Sequence, residues 1–398
     1  MKFNSFDRII FAIFAILISL FWLTREFLPP ITLVLFIIIG LIMAILASEK
    51  AVEGVDVLGK RLGLTPYVSG VLSSLASNTP ELVIGFFAIL NGQIEFAIAF
   101  IIIATGFNIL MLGVLVILGN FRRNMNPIKI PPEVVEIEVP IVRVAIVIVG
   151  SIFVYGIVLF CIEIFEIATN AQQTVPFLPY EANVIMVVVY LFYLFFILRH
   201  NLKNRLPQSR TALDELGLGN RSFLIFILVL AFGMIFFAGE MISSSVELFL
   251  EQSHNIGIIL NEFQLAFFIG AAASLPEHAI ALLAMKHEGG IELGLGNLIS
   301  GSMQNLLLMT GLVSLFSFLG AVIGVAGNSL SGIPLIHYVE GEIPIPFLLV
   351  QFGFAWLLLF MIKSSMTDDQ KLDIYEGFTI TVAQIFVFVI FLRGILGF

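Results

Sequence analysis

Long apolar runs separated by short polar intervals make up nearly the whole chain. They fall near residues 8–26, 30–48, 66–90, 95–119, 141–163, 182–199, 222–249, 262–286, 291–318, 345–363 and 374–396. Most hold about 20 residues, the length an α-helix rising 1.5 Å per residue needs to cross a bilayer core of about 30 Å. The pattern therefore predicts an all-α polytopic membrane protein with about eleven transmembrane helices. The first helix, in 1–28, stands alone. The other ten divide into two sets of five, 29–199 and 222–398. Between them, 200–221 is polar and basic and carries Pro207, Gly217 and Gly219, so it reads as an exposed cytoplasmic linker.

Polar residues inside these runs are few, and the most informative occur twice. In one run Pro276 precedes Glu277; in an earlier one Pro80 precedes Glu81. A carboxylate at bilayer depth is costly and is tolerated where it faces a bundle interior or a watery cavity. A proline beside it lacks an N–H and leaves a carbonyl about four residues back without its helical partner, which opens the helix next to a negative charge. The run after each carries an asparagine at matching distance, Asn108 at 27 positions from Glu81 and Asn305 at 28 from Glu277. Five helices separate corresponding elements, and an odd number turns the second copy upside down in the membrane. The predicted architecture is one extra N-terminal helix plus two inverted five-helix repeats, with a site at the midplane between them. The segments Val135–Pro140 (VEIEVP) and Val339–Pro344 (VEGEIP) read as corresponding connections in the two sets.

The basic residues orient this arrangement. Lys2, Arg8, Lys50, Lys60, Arg61, Arg122, Arg123, Lys129, Arg143, Arg199, Lys203, Arg205, Arg210, Arg221, Lys286, Lys363 and Lys371 fall on the side of the N-terminus, and only Arg25 and Arg393 on the other. By the positive-inside bias the N-terminus is cytoplasmic and the C-terminus outside. The expected location is the plasma membrane of a prokaryote. The first run has no small-residue cleavage site after it and is expected to be retained.

Composition agrees. The chain is 59% hydrophobic and 12% charged, and its mean hydropathy is +1.08, which leaves no room for a sizeable soluble domain among 398 residues. The single cysteine, Cys161, excludes an intramolecular disulfide and a cysteine metal cluster. No nucleic-acid partner and no resident cofactor are expected. The partners are the lipid bilayer and small cations, and a homo-oligomer is left open.

These residues resemble the cation/calcium antiporter superfamily, whose paired repeats typically read like G-T-S-x-P-E on one helix and G-N-x-x-G-S-N on the next. The likeness is carried by Ser77-Asn78-Thr79-Pro80-Glu81 and Ala273-Ser274-Leu275-Pro276-Glu277, with Gly296-Asn297 opening the second half of the later repeat, and it covers about residues 30–398. The stretch from Leu46 to Gly70 looks like that of sodium/calcium exchangers. Glu277-His278 with Ser300-Gly301 and Gln304, and the lone N-terminal helix, look like calcium/proton antiporters. The chain departs from the exchanger pattern at Asn78, where serine is usual, and at Ala104-Thr105, where the family has Ser-Asn. In exchangers those positions supply oxygens to the flanking sodium sites.

The resulting expectation is a secondary active antiporter, not an enzyme. It moves Ca²⁺ in exchange for H⁺ by alternating access, with Na⁺ as the alternative counter-ion and a cation channel as the rival class. Calcium takes six to eight oxygens. Glu81 and Glu277 are expected to supply the charge. Ser77 lies one turn before Glu81, its counterpart Ala273 offers only a carbonyl, and Asn108, Asn305 and Gln304 offer amide oxygens or, alternatively, act as glue between helices. His278, Ser274, Ser302 and Thr105 stand beside these as modulators. When calcium leaves, two neighbouring carboxylates in a low-dielectric site are expected to take up protons. An intramembrane zinc protease is excluded because no second histidine follows His278 in an H-E-x-x-H pattern.

Overall fold

The computed structural model describes residues 5–64, 66–130, 132–169, 177–203, 221–253, 262–284, 290–325, 333–334 and 347–396. The helices are α1 (Ser5–Thr24), α2 (Pro30–Leu62), α3 (Pro66–Ser77), α4 (Thr79–Leu90), α5 (Ile94–Arg122), α6 (Pro132–Thr169) and α7 (Tyr180–Lys203) in the first part of the chain. The second part holds α8 (Arg221–Ser253), α9 (Glu262–Ala273), α10 (Leu275–Ala284), α11 (Gly290–Met303), α12 (Thr310–Ile323), α13 (Phe347–Asp368) and α14 (Ile374–Leu396). A π-helical turn, Gln304–Met309, joins α11 to α12. The linker residues 204–220 and the segment Val339–Pro344 lie outside the described residues.

Ten stretches among the described residues are long and apolar enough to cross a membrane. The eleventh expected crossing, 262–286, is the pair α9 and α10, described as far as Ala284. Two expectations shift. Val135–Pro140 is no connection, because α6 begins at Pro132 and runs through Pro140. Helix α2 outlasts its apolar run 30–48 and continues to Leu62, since the added turns hold no proline and their Glu, Lys, Ala, Leu and Arg residues offset Gly54 and Gly59.

The inverted repeats are visible in the packing. The leading helices α2 and α8 lie along each other, and α6 packs on α13. The third helix of each set occupies the centre: α5 packs against α9 and α14, and the unit from α11 to α12 packs against α3 and α7. From Ile94 to Ile109 nearly every α5 side chain is buried, as expected for a helix apolar on all faces. Gly150 and Gly353 allow the α6–α13 approach, for a Cβ on Gly150 would meet Trp356 Nε1 at 2.4 Å and one on Gly353 would meet Phe153 at 2.5 Å.

Four two-residue strands add a feature that hydropathy does not show. β1 (Ile128–Lys129) pairs antiparallel with β4 (Lys371–Leu372), and β2 (Phe177–Leu178) with β3 (Ile333–Pro334). β1 joins α5 to α6 and β4 joins α13 to α14; β2 joins α6 to α7 and β3 lies between α12 and α13. Each pair thus ties the connection after the third helix of one repeat to that after the fourth helix of the other. The repeat symmetry interchanges the two latches. Asn120 reinforces the first, its Nδ2 donating to the Val116 carbonyl at 2.8 Å and the Leu372 carbonyl at 3.1 Å.

Large apolar side chains cover the outside, among them Leu23, Phe27, Phe165, Phe192 and Phe226. On a membrane protein this is the lipid-facing surface.

Candidate cation-binding site

Both predicted helix breaks are present, displaced slightly from the prolines. α3 ends at Ser77 and α4 starts at Thr79, so the break falls on Asn78. α9 ends at Ala273 and α10 starts at Leu275, so the second break falls on Ser274. In each case the break precedes the proline by two residues, which places Glu81 and Glu277 in the first turn of the second half-helix. The N-terminal end of a helix carries unpaired N–H groups and the positive end of its dipole, which favours a carboxylate there.

Glu81 and Glu277 are both fully buried and lie within electrostatic reach of each other. Their surroundings differ. Glu277 is held by three side chains from the other repeat. Ser77 Oγ is 3.1 Å and Ser74 Oγ 3.3 Å from its Oε1, and Asn108 Nδ2 donates to its Oε2 at 2.5 Å. Asn108 is in turn fixed by His278, whose Nε2 is 3.0 Å from Asn108 Oδ1. Among the described residues no other side chain bonds to either oxygen of Glu81, which lies against its own backbone N–H. The cause is a sequence asymmetry between the repeats. Ser74 and Ser77 stand seven and four residues before Glu81, and the same positions before Glu277 hold Gly270 and Ala273. Repeat one can reach across to Glu277, whereas repeat two has no hydroxyl to send back.

A second set of neutral groups borders the pair. Asn78 Nδ2 donates to Gln304 Oε1 at 2.9 Å, and Gln304 Nε2 donates to the Val71 carbonyl at 3.2 Å and lies 3.5 Å from Ser300 Oγ. Acceptors outnumber hydrogens around these serines. The one hydroxyl hydrogen of Ser74 has Glu277 Oε1, the Asn297 carbonyl and Gln304 Oε1 within 3.3–3.4 Å. That of Ser77 is shared between Glu277 and the Ser74 carbonyl. Gly301 closes one wall: a Cβ there would stand 2.7 Å from Glu277 Oε1, 3.2 Å from Ser74 Oγ and 3.3 Å from Asn108 Nδ2.

Glu81, Glu277, Ser77, Asn108, Gln304 and His278 therefore form one connected group. Ala273 is buried beside the second break, where its side chain brings no polar atom. Asn305 is fully buried with neither amide atom bonded to any described residue, unlike its counterpart Asn108. Three expected modulators turn their hydroxyls onto their own helices: Thr105 to the Ile101 carbonyl, Ser274 to the Gly270 carbonyl and Ser302 to the Leu298 carbonyl. Ser74 is a site residue that the sequence reading passed over. Seven residues before Glu81 is two helical turns, which places it on the face of Ser77.

Chemically, the arrangement is a buried cluster of oxygens with too few hydrogens, set where the backbone is broken, and oxygens of this kind suit a small cation or protons.

No curated protein matches the chain in sequence. Among solved structures it resembles the "H+/Ca2+ Exchanger CAX", with a TM-score of 0.67 at 12% identity, covering 98% of this chain and 93% of that one. It also resembles the sodium-calcium exchanger NCX_Mj soaked with 2.5 mM Na⁺ and 0.1 mM Ca²⁺, with a TM-score of 0.56 at 16% identity, covering 90% and 98% of the two chains. NCX_Mj soaked with 10 mM Na⁺ and 10 mM Sr²⁺ gives 0.57 at 16% identity, covering 91% and 99%. At these identities the likeness concerns the fold. The family described as sodium/calcium exchanger protein matches residues 32–199 and 223–393, leaving α1 outside the match. With most of its length so matched and its carboxylates buried between two inverted repeats, this chain belongs to the sodium/calcium exchanger protein family, within the cation/calcium antiporter superfamily.

Proposed function

We propose that the protein moves Ca²⁺ across the membrane in exchange for H⁺, by alternating access at the Glu81–Glu277 site. The observation that carries this reading is the surplus of acceptors at that site. Two fully buried carboxylates, one with no side-chain hydrogen-bond partner among the described residues, are bordered by neutral side chains whose few hydrogens are already shared. Such a site is balanced by a divalent cation bound to oxygens or by protons on the carboxylates. One Ca²⁺ or two H⁺ cancel the same charge, so the carrier crosses neutral in either direction and exchange is obligatory. Glu81 and Glu277 are the charged ligands, with Ser77, Asn108 and Gln304 able to add neutral oxygens. The fold likeness to structures described as an H⁺/Ca²⁺ exchanger and as a sodium-calcium exchanger supports cation exchange with either counter-ion.

Sodium as counter-ion has in its favour the family match itself and Asn78 Oδ1, which is buried at the break in the first repeat with no hydrogen-bond partner among the described residues. Against it, Ala104 brings no hydroxyl and Thr105 spends its own on the Ile101 carbonyl. Radiolabelled calcium uptake into proteoliposomes separates the two, with the membrane potential clamped by ionophores. Uptake driven by an imposed pH gradient and indifferent to a sodium gradient is the expected result. Uptake that follows sodium and ignores pH overturns it.

A further inference from the structure

A line of buried polar groups runs from the site toward the end of the bundle that carries β1, Arg122 and Arg123, and the cation site itself does not use it. Glu138 sits in α6 six residues after the helix begins, about 9 Å in at 1.5 Å per residue. It is fully buried. Tyr193 donates its hydroxyl to Glu138 Oε1 at 2.8 Å. Tyr190, one turn deeper on the same face of α7, has its ring 5.5 Å from that of Tyr193. It is fully buried, and its hydroxyl lies against Gln304 and Ser300 without a well-formed hydrogen bond to any described residue, within the electrostatic reach of both Glu138 and Glu277. Leaving a tyrosine hydroxyl unpaired in an apolar interior costs about 1–3 kcal/mol. A phenylalanine fills the same space without that cost, so packing alone does not account for the hydroxyl. Gln304 lies 3.5 Å from the Ser300 hydroxyl and 3.4 Å from that of Ser74, and Ser74 reaches Glu277 Oε1 at 3.3 Å.

We propose that Glu138, Tyr193 and Tyr190 form a proton relay between the basic end of the bundle and the Glu81–Glu277 site. The proposal rests on the H⁺ reading given above. A proton taken from water by Glu138 passes to the Tyr193 oxygen as Tyr193 releases its own to Tyr190. Tyr190 releases its own toward the Ser300 and Ser74 hydroxyls, and Glu277 receives the last. Each hydroxyl gains one proton and loses one, so the chain ends unchanged apart from its rotors. The titratable groups along the line are Glu138, the two tyrosines and, at the site, Glu277, His278 and Glu81. Calcium has no part in the relay, because tyrosine hydroxyls in single file offer it too few oxygens.

The test uses the full-length protein in proteoliposomes and compares two fluxes. Proton-driven calcium uptake needs the relay; calcium-for-calcium exchange, with calcium on both sides and no pH gradient, does not. Tyr193→Phe and Tyr190→Phe keep the ring packing, and each is expected to slow the proton-driven flux about tenfold or more, in keeping with the weight of a positioned proton-transfer group. Both should leave calcium-for-calcium exchange within about twofold; Glu138→Gln should act in the same way. Undiminished proton-driven flux in the tyrosine variants overturns the relay, as does an equal fall in both fluxes, which marks a structural role. Absence of proton-driven flux in the unsubstituted protein is a different failure: it removes the H⁺ reading itself, and the relay with it.

Discussion

Glutamine in place of either site glutamate removes one negative charge at nearly constant shape, yet the two positions carry unlike burdens. Among the described residues no other side chain bonds to Glu81, so Glu81→Gln subtracts charge alone. Glu277 accepts from Ser74, Ser77 and Asn108, and a glutamine there turns an NH₂ toward at least one of those donors. Both variants are expected to lose calcium flux. Only Glu277→Gln should also lose stability, by about 1–3 kcal/mol for a buried donor left unpaired, measured as thermal unfolding in detergent. Near-normal flux in either variant contradicts the paired-carboxylate site. Gly301→Ala tests the wall beside them. The new methyl would stand 2.7 Å from Glu277 Oε1, so the carboxylate must swing away from its donors. Overpacking of this kind costs about 1–3 kcal/mol, and a cost of that size at the ligand should weaken calcium binding about tenfold or more. Titration of uptake against calcium concentration reads this directly, and an unchanged half-saturation rules out the contact.

Among the elements, the half-helices place the charges and the β latches hold the repeats together. Residues 128 and 372 face each other in the β1–β4 register, and paired strand residues lie within the Cα separation a disulfide spans. With Cys161 replaced by serine, cysteines introduced at Ile128 and Leu372 are expected to cross-link, because the latch brings the two connections together. If it belongs to the static frame of the transporter, flux should persist in the oxidised protein at about the reduced rate, since interfaces of low mobility tolerate covalent pairing. Loss of flux on oxidation, restored by reductant, would instead make the latch a moving part. Helix α1 is set apart from this frame. It lies outside the family match and reaches α8 through Arg25, whose guanidinium is 3.8 Å from Glu240 Oε1 and stacks on Trp22 at 4.3 Å. Glu240 and Glu49 occupy matching places in the two repeats, but Glu49 is exposed and Glu240 buried; the extra helix accounts for that difference.

For the molecule in its membrane, the orientation follows from charge. Seventeen of nineteen Lys and Arg residues fall on the N-terminal side of the expected topology, and the positive-inside bias predicts that this side is cytoplasmic. Single cysteines placed at each terminus of a Cys161→Ser protein and probed with an impermeant thiol reagent on intact cells should give a protected N-terminus and a labelled C-terminus. Labelling of both from the same face would mean an even number of crossings and would contradict the eleven-helix topology.

Helix content, crossing number and the two breaks were legible from residues alone, because each is a local consequence: twenty apolar residues must be helical in lipid, and a proline beside a buried glutamate opens its own helix. Glu81 and Glu277 stood out for the same reason, as charges with no local compensation. What became visible only in three dimensions is relational. No spacing along the chain shows that Ser74 and Ser77 serve the glutamate 200 residues away and not the one four residues on, or that Asn108 bonds at the site while Asn305 does not. Nor does it show that four two-residue strands pair across the repeats, since two residues carry no periodicity to read. Hydrogen bonds between inverted halves depend on which faces the packing of α5 and α11 brings together. That is set by the sum of many side-chain volumes across the bundle and by no single motif.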